Sequence, residues 1–182
     1  LRLPRLDMYV DVMLKNNCRI ASKVLPQSAV LKLAQRSCRD SARTPMQWTG
    51  GPWAGFSETR PWFYVNENYR DVNVAVEEKD PDSLLNFYRE LIAFRKAEPL
   101  VMEGEYKEHL RQSPNFYVYS REAGGRRLLV ICSFADKDTY FTAPEGFDLM
   151  QGRLVLKNYE MNLVINNCFT ARPYELRVYL FE

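Results

Sequence analysis

The chain has 182 residues, is 46% hydrophobic and 13% aromatic, and carries Lys+Arg 25 against Asp+Glu 23 for a formal net charge of +2. That composition supports a packed core and excludes a disordered chain. The near balance of charge excludes a chain built around a basic stripe for nucleic acid or an anionic membrane surface, and no run is long and apolar enough to read as a spanning helix.

In chain order, Leu6, Val10, Met13 and Leu14 fall at helical spacing and predict a short first helix. Pro26 suits the first turn of a second helix, with Ala29, Val30, Leu33 and Ala34 on one face. Residues 36–79 carry little periodicity, yet hold Pro45, Pro52, Pro61, Trp48, Trp53, Trp62 and the Gly50-Gly51 pair. A long irregular stretch of this kind is uncommon unless it is functional or wraps another surface. Asp80 as cap, Pro81 at the first position and Asp82 near the positive end of the dipole predict a helix. Its apolar stripe is Leu84, Leu85, Phe87, Tyr88, Leu91, Ile92 and Phe94, and Arg95, Lys96 and Pro99 close it. After Gly104 the period becomes two. Strands are predicted at 116–121, 127–134, Thr139–Thr142, Arg153–Lys157, 163–165 and 174–181, the last with Tyr174, Leu176, Val178 and Leu180 on one face. Short strands separated by turn residues imply an antiparallel sandwich, with a boundary near residue 103.

Cys18, Cys38, Cys132 and Cys168 form no Cys-x-x-Cys pair, and His109 is the single histidine, so no metal site of zinc-type spacing is expected. The wide spacing does not read as a disulfide framework. Four reduced thiols, with no visible signal peptide and no Asn-x-Ser/Thr site, give the expectation of a cytoplasmic protein, and the start at Leu1 that of a longer one. Glycosidic chemistry needs two carboxyl groups flanking one bond. Glu77, Glu78, Asp80, Asp82, Glu103, Glu105, Asp136 and Asp138 all sit in polar runs, caps or turns and read as solvated surface. His109 lies in a polar run and reads as exposed, and no Gly-x-Ser-x-Gly motif accompanies it. With no phosphate loop or dinucleotide fingerprint, no cofactor is expected. The residues alone point to no active site.

Residues 37–48, SCRDSARTPMQW, resemble the signature [S/G]RD-x-[A/S]R-T-P-M-Q-W of the α-glucosidase branch of glycoside hydrolase family 13. Residues 54–74, AGFSETRPWFYVNENYRDVNV, resemble the AGF…PW…VN-x-NY…INV segment of the same proteins. Residues 80–96 resemble the last helix of their barrel, and the strands at 116–121 and 128–134 the start of their C-terminal β domain. Residues 6–35 fall where that family has a helical insertion of variable sequence. The resemblance is to the C-terminal portion of a maltase or oligo-1,6-glucosidase.

It implies an α+β chain: the C-terminal remnant of a (β/α)8 barrel, mainly loops and helices, over residues 1–103, then an antiparallel β-sandwich domain over residues 104–182. It implies a retaining enzyme that hydrolyses terminal α-linked glucose from maltose- or isomaltose-type oligosaccharides in carbohydrate metabolism. The motifs of the Asp nucleophile, the Glu acid/base and the stabilising Asp do not occur here, so the chain has no expected catalytic residue and is expected to be inactive alone. The resemblance implies that Arg39 binds the non-reducing glucose, for which a guanidinium's fixed donors are suited. Asp40 and Arg43 would brace the loop, Met46 and Trp48 would pack, and Trp53, Trp62 and Tyr64 would pin the long segment to the outside of the barrel. The implied partners are an α-glucoside oligosaccharide and the missing barrel portion, with no nucleic acid and no membrane. A competing reading is a non-catalytic carbohydrate-binding or interaction protein derived from this family.

Overall fold

Asp11 starts the first long helix. Its backbone leaves the helical region and its carboxylate accepts the Leu14 N–H at 3.1 Å, which satisfies an otherwise orphaned donor. Helix α1 therefore runs Val12–Ala21, and Leu6–Met8, expected inside it, form only a 3-10 turn. Helix α2, Gln27–Ser37, follows Pro26, which is the extended cap residue rather than part of the first turn. Val30 and Ala34 are buried as expected, but Leu33 faces solvent and Leu31 packs inward instead, beside Leu3, Tyr9 and Leu14. The structure, a computed structural model, describes residues 2–182. Its contacts divide the chain into two compact units, residues up to Leu85 and Asn86–Glu182.

The irregular stretch of the first unit is tied by its backbone. Trp48 and Thr49 N–H both donate to the Ala54 carbonyl, at 2.9 and 3.0 Å, and Val74 N–H donates to the Gln47 carbonyl at 3.0 Å. Between these ties Trp53, Ala54 and Gly55 all hold positive φ, at 51°, 59° and 65°. A Cβ on Gly55 would lie 2.6 Å from Thr49 Oγ1, so a larger residue here would have to displace the Thr49 side chain while holding a strained positive φ. Asn73 caps the one-turn helix α3, Val74–Glu77, through the Val76 N–H, and donates its amide to the Tyr69 and Arg70 carbonyls.

Helix α4 runs Leu84–Ala97 and starts later than Asp80 would place it. Asp80 instead accepts the Asp82 N–H in a turn of its own, the local bond that short carboxylates favour. Within the second unit, Phe87, Leu91 and Phe94 of α4 and Leu100 of α5 (Leu100–Glu103) cover one face of a sheet, while Tyr88 and Ile92 stay exposed. Glu98, between the helices, accepts the Leu100 N–H and a two-pronged bond from Arg126 at 3.0 and 2.8 Å. Arg126 holds the Glu98 carboxyl below the usual carboxylate range.

The strands are β1 Glu105–His109, β2 Phe116–Ala123, β3 Arg126–Ser133, β4 Thr139–Thr142, β5 Arg153–Lys157, β6 Cys168–Ala171 and β7 Leu176–Phe181. Five form an antiparallel sheet in the order β1-β2-β3-β7-β5, and β4 pairs with β6 in a second antiparallel sheet. Val118, Leu129, Ile131, Tyr179 and Phe181 face Phe141, Phe169 and Ala171 of the second sheet. Leu128, Val130, Val178 and Leu180 face the helices. Strand β3 is thus buried on both sides, which accounts for its unbroken apolar run.

Three expectations change in the second unit. Residues 163–165 are not a strand; Ile165 makes one bridge to Cys168 across Asn166 and Asn167, both at positive φ, and the strand follows as β6. Strand β7 begins at Leu176, because Tyr174 turns out of it at φ 56° and stands exposed. His109 is half-buried on β1, with Nε2 3.0 Å from Ser120 Oγ and its ring against Phe147, and burial lowers its pKa. All four cysteines are unpaired. Burial pushes the Cys132 thiol up to about 11, whereas hydrogen bonds with Thr142 and Tyr140 lower that of Cys168. Among the described residues no helix is long and apolar enough to cross a membrane.

Candidate functional site

Three of the residues singled out above lie in one turn of the first unit. Cys38 caps the 3-10 turn Arg39–Ala42, its Sγ accepting the Asp40 N–H at 3.3 Å. This turn points Arg39 and Asp40 in different directions. Asp40 is fully buried, and its Oδ2 accepts the Val10 and Asp11 N–H groups at 2.8 and 3.2 Å. Its Oδ1 has no hydrogen bond but faces Arg43 Nη1 at 3.8 Å. Arg39 lies outward, with 59% of its side chain exposed, and donates from Nε to Asp11 Oδ2 at 2.9 Å.

Asp11 completes this group and escaped the sequence reading. Its side chain is 3% exposed and receives the Leu14 N–H as well as the Arg39 guanidinium. The guanidinium first, and the Leu14 N–H second, hold its carboxyl down at about 2. An acidic residue directly before Val12-Met13-Leu14 carries a helix-start signal, so the cap was legible. The pairing with Arg39, 28 residues away, has no local signature.

The Asp11 and Asp40 carboxylates approach within 4.8 Å, a separation near that of a retaining glycosidase pair. Neither can serve as one. Both are buried, both are occupied by backbone N–H groups, and no sugar can enter between them. Cys38 Sγ joins the two carboxylates at metal-ligand range. Arg39 and Arg43 already face the two acids, so a metal ion would have to displace a guanidinium from each. The buried acids elsewhere, Glu98 and Glu175, are likewise paired with Arg126 and Arg177.

Beside this group lies an open cleft of about 510 Å³, lined by Asp7, Met8, Val10 and the aromatic run Trp62-Phe63-Tyr64, with Trp53 and Arg60. Phe63 is the buried member of the run, whereas Trp62 is 77% exposed. Met46, Trp48 and Trp53 are also exposed, so the packing expected of them is not made within this unit. Gln47 donates its side-chain amide to the Val72 carbonyl and closes the loop.

Residues 12–104, more than half of the chain, match the family described as "Alpha amylase, catalytic domain". The probable oligo-1,6-glucosidase 2 of Bacillus subtilis is 36% identical over 180 residues, covering 98% of this chain and 32% of that protein. The oligo-1,6-glucosidase of Halalkalibacterium halodurans is 34% identical over 183 residues, with the same 98% and 32% coverage. Among solved structures, the trehalose-6-phosphate hydrolase of Bacillus licheniformis superposes with a TM-score of 0.92 at 30% identity, over 100% of this chain and 33% of that one. The isomaltulose synthase of Klebsiella sp. LX3 does so with 0.88 at 27%, over 98% and 32%. The chain thus spans about a third of the length of the curated relatives it matches. It belongs to the α-amylase family, glycoside hydrolase family 13.

Proposed function

We propose that these residues form the C-terminal part of an α-glucosidase that removes terminal α-linked glucose from maltose- or isomaltose-type oligosaccharides in carbohydrate metabolism. Residues 1–103 would complete a (β/α)8 barrel, and residues 104–182 would form its β-sandwich domain. The observation that carries this reading is the Arg39 guanidinium, anchored on a buried carboxylate yet open to solvent, within a stretch similar to oligo-1,6-glucosidases. Its Nη1 has no partner among the described residues and is free to donate to sugar hydroxyls. Asp40 and Arg43 support the turn beneath it.

The carboxyl groups that form and break the glucosyl bond would belong to the rest of the barrel. A positioning arginine cannot replace a nucleophile, so this chain alone should not hydrolyse glucosides. Four unpaired thiols favour a cytoplasmic setting. The test is hydrolysis of a chromogenic α-glucoside by this chain and by a longer chain carrying the remaining barrel. Turnover by the longer chain alone is the expected result; turnover by these residues alone overturns the proposal.

A second reading, a non-catalytic carbohydrate-binding or interaction protein of the same family, is favoured by Tyr140 and Tyr174, which stand exposed on the β unit. Saturable binding of malto-oligosaccharides that is lost in Tyr140→Ala or Tyr174→Ala would support it.

A further inference from the structure

The Arg39 side chain is long and more than half exposed, so it could sample many rotamers, yet its Nε is fixed on a carboxylate that cannot move. We infer that Asp11 is a positioning residue for Arg39, setting which edge of the guanidinium faces the glucosyl unit. The inference rests on the sugar-binding reading of Arg39 given above.

Each part of Asp11 is independently held. One carboxylate oxygen accepts the Leu14 N–H and the other accepts Arg39 Nε. The backbone N–H is itself held by Asp40 Oδ2, together with that of Val10. Before it meets the guanidinium, the carboxylate is therefore held by the Leu14 N–H, and the backbone that carries it by Asp40. The Nε edge of Arg39 is consumed by this contact and Nη2 leans toward the same acid at 3.5 Å, which leaves Nη1 as the outward donor. A planar fork held by one edge presents the opposite edge in a single orientation, which lowers the ordering cost when a ligand binds. An ordinary surface ion pair joins two mobile partners; here one partner is 59% exposed and the other 3%.

The arrangement also gives the α1–α2 segment a role. Asp11 stands immediately before α1, and Arg39 stands two residues past the end of α2, so the two ends of this helical insertion are clamped to each other through the arginine. The orientation of the sugar-binding group then depends on the feet of the insertion.

Asp11→Asn separates positioning from folding. Asparagine caps a helix as well as aspartate does, so α1 keeps its start. With the amide oxygen on the Leu14 N–H, the amide nitrogen faces Arg39 Nε, and an acceptor becomes a donor. Asp11→Ser provides a second variant that caps but is too short to reach the guanidinium. In the longer glucosidase of which these residues are proposed to be part, either variant should lower kcat/KM about tenfold, the scale of losing a residue that orients a functional group, while far-UV circular dichroism keeps the wild-type helix signal. In an Arg39→Lys background, neither should lower it further.

Equal losses in both backgrounds, or no loss in the wild type, overturn the role of Asp11. An unchanged kcat/KM in Arg39→Lys itself overturns the sugar-binding reading on which the role depends. In the 182-residue chain alone, the Arg39 Nε–H should exchange slowly with solvent by NMR, and fast in Asp11→Asn; fast exchange in both overturns the clamp without any activity measurement.

Discussion

The two units are organised by different forces. Asn86–Glu182 buries two apolar clusters, one between its sheets and one beneath its helices, and every residue in them comes from that unit. The unit up to Leu85 has one small cluster around Leu3, Tyr9, Leu14 and Ala34, and leaves Met46, Trp48, Phe56 and Trp62 in solvent. Its shape comes instead from polar pins: Asp11, Asp40 and Asn73 each collect backbone N–H or carbonyl groups. Burial makes a module that completes itself. Polar pins make a loop whose aromatic residues are presented outward, as suits a segment that meets a further surface.

The contrast can be broken first at Phe141. Its ring is fully buried between Phe116 and Phe169, both at 5.0 Å. Phe141→Ala should destabilise the β unit by about 3–5 kcal/mol, as truncation of a buried aromatic does. Urea unfolding followed by far-UV circular dichroism measures this, and a loss under about 1 kcal/mol, the scale of an ordinary surface change, would place the core elsewhere.

Acid sharpens the comparison from the other side. The Asp11 carboxyl is held at about 2 in the folded chain, below its ordinary 3.8, by Arg39 and the Leu14 N–H. A depressed folded pKa stabilises above the unfolded value and is lost as pH falls toward the folded one. The first unit should therefore weaken between about pH 4 and pH 2, and Asp11→Asn should flatten that decline. Urea midpoints from tryptophan fluorescence provide the measurement, since all three tryptophans, Trp48, Trp53 and Trp62, lie in that unit. Equal pH slopes in the two proteins would remove Asp11 from the account.

The smallest effect is expected at Trp62. At 77% exposure, Trp62→Ser should change the thermal stability of this chain by no more than about 0.5 kcal/mol. A larger loss in a longer barrel-bearing chain would identify Trp62 as a residue that packs against the remainder.

What the sequence disclosed follows the same division. Thr139–Thr142 and Arg153–Lys157 were legible to their ends, and the two-sided burial of β3 was legible from its unbroken apolar run. Strand β1 was not, because Glu105–His109 is an edge strand whose exposed, charged residues imitate a loop. The apolar run at 163–165 imitated a strand, while the turn at Asn166-Asn167 displaced the pairing to Cys168–Ala171. At the candidate site the signature around Arg39 was visible as a motif. Its anchor Asp11 was hidden, because a contact across a helical insertion leaves no periodicity for a sequence to show.

The four thiols carry a practical consequence. Thiolate abundance governs attack on an electrophile, and burial raises the pKa of Cys18, Cys38 and Cys132 while the bonds from Thr142 and Tyr140 lower that of Cys168. Brief exposure to an alkylating dye near neutral pH would mark the second strand of the small sheet ahead of the other three positions. The chain so labelled carries a fluorophore on its self-completing unit and three native indoles on the other, a donor–acceptor arrangement that requires no engineered cysteine.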